Sequence, residues 1–189
     1  EGIRYRLADL TYGAAPSAPA SARPAPAAWA ANPLPEPDLG TATRLSLDME
    51  GGAMGGLQTA TFKGETLSGR DLARKHGMVW SFNGVVYPPM KYGDHGDPMF
   101  TFKRGESVVM TIRNKTAFAH PIHLHGHTFR VISRDGKPEP DRPWQDTVLL
   151  PIDGEAEIAF VADNPGDWMF HCHILEHQKS GMMGFVRVA

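Results

Sequence analysis

The chain has 189 residues, 41% of them hydrophobic and 21% charged, and carries a formal net charge of −2. That length accommodates one domain of ordinary size, alone or with an appendage. The near-neutral charge gives no electrostatic footing for nucleic acid or an anionic membrane. No apolar run approaches the ~18 residues of a membrane span, and a single cysteine excludes an internal disulfide.

In chain order, the sequence opens Glu1-Gly2-Ile3 with neither an initiator Met nor a charged-then-apolar leader, and reads as a processed chain or an excised piece. Residues 1–13 set Ile3, Tyr5 and Leu7 at alternate positions, the pattern of a strand, and are expected to be the last strand of a preceding domain or a tail. Residues 14–40 are mostly Ala and Pro. Seven of the sixteen prolines fall there, which forbids a continuous helix or central strand. A semi-rigid linker is expected, with Trp29 as the anchor if the segment instead lies against the domain. From residue 41 onward, short apolar segments alternate with Gly, Asp and Asn-Pro-Gly punctuation. Strands are expected at 43–49, 79–86, 99–104, 107–114, 127–133, 147–151, 156–162, 167–173 and 184–189, and a short helix or turn at 70–77. The predicted fold class is an all-β, Greek-key β-sandwich over residues 41–189.

Two clusters hold seven of the nine histidines. HPIHLHGH supplies His120, His123, His125 and His127; FHCHILEHQKSGMM supplies His171, His173 and His177 around Cys172. A lone histidine is ordinarily a surface or core residue, but seven in two clusters, one straddling the only thiol, point to metal. Strand alternation sorts them. If the two segments lie side by side, one face collects His123, His125, His171 and His173. The other collects His120 and Cys172, and the chain beyond returns His177 and Met182 to it. Two imidazoles, a thiolate and a distant thioether form the ligand set of a blue-copper electron-transfer site. Zinc also accepts His and Cys but gains nothing from a thioether. The imidazole face suits copper open to dioxygen, with one ordinary zinc or nickel ion as the lesser alternative.

H-P-x-H-L-H-G-H followed by H-C-H-x3-H-x4-M resembles the C-terminal copper-binding domain of the multicopper oxidases, the family of laccases, ascorbate and bilirubin oxidases and cuprous oxidases. The resemblance runs from about Thr43 to Ala189, through Trp144–Val148 and Asn164–Trp168. It implies a cupredoxin-like sandwich, copper as the cofactor, and a periplasmic or secreted enzyme. By the same resemblance His120, Cys172 and His177 bind the type 1 copper with Met182 as axial ligand. His123 is implied as a type 2 ligand, and His125, His171 and His173 as ligands of the type 3 pair. Electrons from a phenol or Cu(I) would enter at type 1 and leave through Cys172 to its two flanking imidazoles, where O2 is reduced to water. His127 falls outside the ligand pattern and reads as a structural hydrogen-bonder. Asp146 is a candidate carboxylate for orienting an imidazole, Glu176 reads as solvated, and His76 and His95 read as surface or loop residues.

The family's trinuclear cluster takes eight histidines, four of them from two His-x-His pairs in an N-terminal domain. Outside the two clusters this sequence has only His76 and His95. A whole type 1 site and half a trinuclear site are therefore expected, completed by an N-terminal cupredoxin domain. Two alternatives stand beside this. A stand-alone mononuclear blue-copper electron carrier leaves four imidazoles without a purpose, and a face-to-face pair of copies duplicates every ligand role. MEGGAMGG (49–56) with Met78, Met90 and Met99 hints at Cu(I) as reductant, although methionine is also a routine filler of cores. The loop at 90–97 is a candidate recognition segment for the reducing substrate.

Overall fold

Alternating apolar and polar side chains make strands of most segments beyond residue 43. In the computed structural model the described residues are 33–189 apart from 53, 55 and 88–95, with isolated positions 8, 11, 13 and 30. The chain divides into two compact units, Glu1–Pro33 and Leu34–Ala189. The strand expected within residues 1–13, most of the Ala/Pro segment with Trp29, and Met90 and His95 lie outside the described residues.

The second unit contains β1 (Thr43–Gly51), β2 (Thr59–Phe62), β3 (Glu65–Ser68), α1 (Gly69–Asp71) running into a π-helical turn (Leu72–His76), β4 (Trp80–Phe82) and β5 (Phe100–Phe102). There follow β6 (Glu106–Thr116), β7 (His120–Leu124), β8 (Phe129–Arg134), β9 (Lys137–Pro138), β10 (Trp144–Gln145), β11 (Thr147–Leu150), β12 (Glu155–Ala162), β13 (Gly166–Cys172), α2 (Leu175–Lys179) and β14 (Met183–Val188). One sheet runs β10-β8-β12-β6-β1-β4 with β9 beside β8, and the other β11-β7-β13-β14-β5. Among the described strands every pairing is antiparallel except β1 with β6 and β5 with β14. Between β6 and β13 the chain passes repeatedly from one sheet to the other, so sequence neighbours face each other across the core. This is an all-β sandwich, as the strand and turn spacing predicts. No helix among the described residues is long and apolar enough to cross a membrane.

The core between the sheets is built from residues such as Met49, Phe82, Ile112, Leu124, Phe160 and Phe170, all 1% exposed or less. Cys172 and Met182 belong to the same core, both fully buried. On β6 the even-numbered residues Met110, Ile112, Asn114 and Thr116 are buried, while Thr111, Arg113 and Lys115 are not. Two polar residues thus occupy positions that the alternation reserves for the core.

Three segments differ from expectation. The hairpin β2–β3 is absent from the predicted strands because both arms are short and largely polar; Lys63 and Gly64 turn it with φ of 52° and 82°, the twist a tight hairpin needs. The predicted strand 79–86 stops at Phe82, because Asn83 and Gly84 adopt φ of 49° and 70° and turn the chain. The last part of the predicted linker is held on the sandwich. Glu36 forms an ion pair with Arg130, and Asp38 N–H donates to Ser107 Oγ at 3.0 Å.

Candidate metal centre

β7 and β13 run antiparallel in adjacent positions, with His123 opposite His171, Ile122 opposite Cys172 and Leu124 opposite Phe170. The ladder sets one parity of each strand toward the core and the other away from it. His120, Ile122 and Leu124 of β7, with Phe170 and Cys172 of β13, are buried. His123 and His125 are half-buried and His173 is exposed.

On the core side, the Cys172 sulfur lies 3.7 Å from His120 Nδ1 and 3.7 Å from His177 Nδ1, and the two nitrogens lie 3.1 Å apart. His177 comes from α2, a five-residue helix that follows β13 directly. The return loop is closed by main-chain bonds: Met182 N–H donates to His177 O at 3.0 Å, and Cys172 N–H to Met182 O at 3.1 Å. Gly181, with φ of 117°, makes that return possible, since a Cβ there would collide with the Trp80 carbonyl. Trp80 and Phe118 close the site with aromatic surface; the Trp80 ring lies 4.6 Å from His177 and 5.0 Å from His120, and Phe118 lies 6.0 Å from His177.

Burial dominates the protonation of this group. It lowers His120 to about 4, with a smaller contribution from His177, and it lowers His177 against a weak opposing pull from Glu176. It raises the Cys172 thiol to about 11, with slight relief from the Ile174 N–H that points at the sulfur. Near neutral pH the imidazoles are therefore uncharged, with lone pairs available, and the thiol keeps its proton.

On the opposite side, four imidazoles crowd together. Ring centroids are 4.6 Å apart for His123 and His125, 5.5 Å for His123 and His173, 5.1 Å for His125 and His171, and 5.7 Å for His171 and His173. His171 Nδ1–H donates to the Cys172 carbonyl at 2.9 Å, which turns its Nε2 to within 2.9 Å of His125 Nε2. Desolvation lowers both rings, and the neighbouring imidazoles lower them further. His123 is oriented by the Asp146 main-chain carbonyl, which accepts from Nδ1–H at 2.8 Å. The Asp146 carboxylate stands 3.8 Å from that nitrogen and instead accepts from the Thr147 hydroxyl at 2.9 Å. The Thr147 hydroxyl oxygen also lies 3.0 Å from His123 Nδ1, so the ring is oriented by a main-chain carbonyl and by a hydroxyl that the Asp146 carboxylate holds.

The turn after β7 depends on Gly126, at φ 69°, where a Cβ would strike the Trp168 indole. Trp168 Nε1–H donates to Asn164 O at 2.8 Å, and Asn164 Nδ2 donates to Gly126 O at 3.1 Å. Asn164–Trp168 thereby clamps the end of the first histidine segment against the start of the second. His127 packs on Trp168 and Phe160; its Nδ1–H donates to His125 O at 3.3 Å, and its buried Nε2 has no partner among the described residues. His127, His123, Asp146 and Asp163 line a cleft of about 270 Å3. His76 lies far along the chain against Phe62, at 4.8 Å between ring centroids.

Residues 64–189 match the sequence profile of the multicopper oxidases. The chain belongs to the multicopper oxidase family. It is 33% identical over 165 residues to the iron transport multicopper oxidase fetC of Epichloe festucae (strain E2368), an alignment covering 79% of this chain and 26% of that one. It is 38% identical over 103 residues to the multicopper oxidase MmcO of Mycobacterium tuberculosis (strain ATCC 25618 / H37Rv), covering 54% and 18%. In structure it resembles the multi-copper oxidase of Pseudomonas Thermotolerans with a TM-score of 0.61 and 33% identity, over 88% of this chain and 35% of that one. The chain spans about a quarter or less of the length of these two sequence relatives.

Family membership makes copper the expected metal, and the core-side donors fit it. A point at the centre of the N, N, S triangle is about 2 Å from each atom, the length of an ordinary metal–imidazole bond. Two neutral imidazoles and a thiol that gives up its proton on binding, buried among aromatic rings, form a soft donor set suited to this family's metal. Trp80, Phe118, Asn114 and Thr116 also shape the site and were not among the sequence candidates. Of these, only Asn114 and Thr116 left a signal, as polar residues on the apolar face of β6.

Proposed function

We propose that this chain is the domain of a multicopper oxidase that receives electrons at a type 1 copper and feeds them to a trinuclear copper cluster. His120, Cys172 and His177 are the proposed type 1 ligands, with Met182 as the axial donor. His123 is proposed for type 2 copper, and His125, His171 and His173 for the type 3 pair. One observation carries the reading: in three consecutive residues at the end of β13 and just beyond it, Cys172 joins a buried N, N, S triangle while His171 and His173 join the imidazole group behind it. Copper held at these two places supplies a one-electron acceptor and a centre where O2, four electrons and four protons give two waters.

The chain's residues make that transfer short. Cys172 offers its sulfur to one side, and a single peptide unit separates it from each flanking imidazole, so no mobile carrier is needed. Trp80 and Phe118 keep water from the sulfur. The half-set of four imidazoles is completed, in this proposal, by histidines of an N-terminal cupredoxin domain, and the enzyme works in the periplasm or outside the cell. Its reductant is a phenol or a low-valent metal ion such as Cu(I); the relative named for iron transport favours the metal ion. A stand-alone blue-copper electron carrier needs only the buried triangle. The packing of four imidazoles on the other face favours the oxidase.

Titration of the chain with Cu(II) tests the reading. An intense blue thiolate-to-copper band is expected, and Cys172→Ser abolishes it. A colourless copper-loaded protein with an ordinary tetragonal spectrum refutes the type 1 assignment.

A further inference from the structure

We infer that Asn114 and Thr116 are positioning residues that hold His120 as the Nε2–H tautomer, with its Nδ1 lone pair turned toward Cys172 and His177. The inference rests on the reading of His120 as a copper ligand. Its basis is the hydrogen-bond arithmetic of three buried side chains, 2%, 4% and 0% exposed.

Asn114 leaves no freedom in its own amide. Nδ2 donates to Phe118 O and to Pro151 O, both at 2.7 Å, which identifies the other atom as the carbonyl oxygen. That oxygen accepts from Thr116 N–H at 3.1 Å and faces the Thr116 hydroxyl at 2.8 Å. A threonine hydroxyl has one hydrogen to give. Asn114 Oδ1 at 2.8 Å and His120 Nε2 at 2.7 Å both lie closer to that hydroxyl than Phe118 O at 3.1 Å; with the hydrogen given to Asn114, the hydroxyl's lone pairs are left for Phe118 N–H at 3.2 Å and for a proton on His120 Nε2. In this arrangement His120 Nε2 carries the proton. Its Nδ1 is left bare, 3.7 Å from the Cys172 sulfur and 3.1 Å from His177 Nδ1. The opposite tautomer draws the hydroxyl hydrogen to Nε2, leaves Asn114 Oδ1 with Thr116 N–H alone, and puts a hydrogen into the centre of the donor triangle. The Asn114 bonds to Pro151 and Phe118 also tie this relay to the ends of the segments that flank β7, so ring orientation is fixed with the tautomer. Partners of this kind on a ligand's second nitrogen set its basicity and direction.

Two measurements on the full chain test this. First, side-chain 15N shifts of the metal-free protein report which His120 nitrogen is protonated; Nε2–H is expected, and Nδ1–H overturns the inference. Second, Thr116→Val removes the acceptor without changing shape. Cu(II) affinity is expected to fall about 10- to 100-fold with a changed visible and EPR spectrum, and Thr116→Ser is expected to restore both. A folded Thr116→Val protein with wild-type affinity and spectrum overturns it. If that variant does not fold, the wild-type 15N result decides alone. A wild-type chain that takes up no Cu(II) defeats the copper reading instead, and the tautomer measurement, made without metal, tells the two failures apart.

Discussion

The Cys172 sulfur lies 3.7 Å from His120 Nδ1, and burial drives these two neighbours in opposite directions along the pH scale. His120 falls from 6.5 to about 4, so the unfolded chain binds its proton more tightly than the folded one. Its contribution to stability is complete above 6.5 and is lost as pH falls through 4. Cys172 rises from 9.0 to about 11, so here the folded chain binds the proton more tightly. That contribution is complete below 9 and is lost as pH rises through 11. At ~1.4 kcal/mol per pKa unit each is worth about 3 kcal/mol. Denaturant unfolding of the metal-free protein should show a plateau between pH 6.5 and 9 with a decline on both sides. Cys172→Ser should remove the alkaline decline and leave the acid one.

The same thiol makes copper binding proton-linked. A ligand must lose its proton to bind, and Cys172 holds one up to about 11 while His120 is already bare above about 4. Apparent affinity at the N, N, S site should therefore rise about tenfold per pH unit between pH 7 and 9, with one proton released per ion bound. Isothermal titration in buffers of different ionisation enthalpy measures that proton; a pH-independent affinity would mean the sulfur is not a ligand.

How much of this was legible beforehand follows from what sequence period can carry. The two-residue period of an extended strand, applied to HPIHLHGH and FHCH, separates His120 and Cys172 from His123, His125, His171 and His173, and the β7–β13 ladder has that parity. Return of His177 was readable from spacing, although the short helix α2 that delivers it was not, because Leu175–Lys179 is too brief to show a period. Trp80 and Phe118 left no signal: Trp80 reaches the site from the distant strand β4, a contact set by how the two sheets stack, and Phe118 lies two residues before His120 in a connection that has no period to read. Asn114 and Thr116 were readable in principle, since β6 places two polar side chains where Met110 and Ile112 predict apolar ones. Of the two oxygens that orient His123, the Asp146 carbonyl is backbone, about which residue type says nothing, and the Thr147 hydroxyl sits beside the carboxylate that was expected to act directly.

Gly126 should be among the least replaceable residues in the second unit. Ala there meets the left-handed φ of 69° and the rigid Trp168 ring together, costing ~2–4 kcal/mol. Gly84→Ala is the matched control: its φ is 70° but nothing lies within 4 Å of the added Cβ, so only the backbone cost of ~1–2 kcal/mol applies. Urea midpoints of the two variants separate collision from backbone strain, and equal losses would mean that the Trp168 clamp yields freely.

In the proposed reading His123, His125, His171 and His173 are half of a trinuclear ligand set, and the sequence offers no further His-x-His pair. The 189-residue chain alone should therefore consume no measurable O2 with phenolic or Cu(I) donors, while still turning blue with Cu(II). An oxygen electrode checks this directly. Sustained four-electron turnover by the pure chain would revive a face-to-face pair of copies, and sedimentation would then show a dimer.

Met182, the proposed axial donor, can be tested apart from the scaffold around it. Its side chain is fully buried, and the bonds that close the return loop, Met182 N–H to His177 O and Cys172 N–H to Met182 O, use only main chain. Met182→Leu preserves volume and those bonds, so the stability cost should stay below ~1.5 kcal/mol. In the proposed reading, what it removes is a weak thioether donor. Loss of axial donation destabilises Cu(II) relative to Cu(I), so the blue band should persist while the reduction potential rises. Redox titration followed at the blue band reads both quantities in one experiment. Bleaching would place Met182 among the strong ligands, and an unchanged potential would remove it from the metal's surroundings.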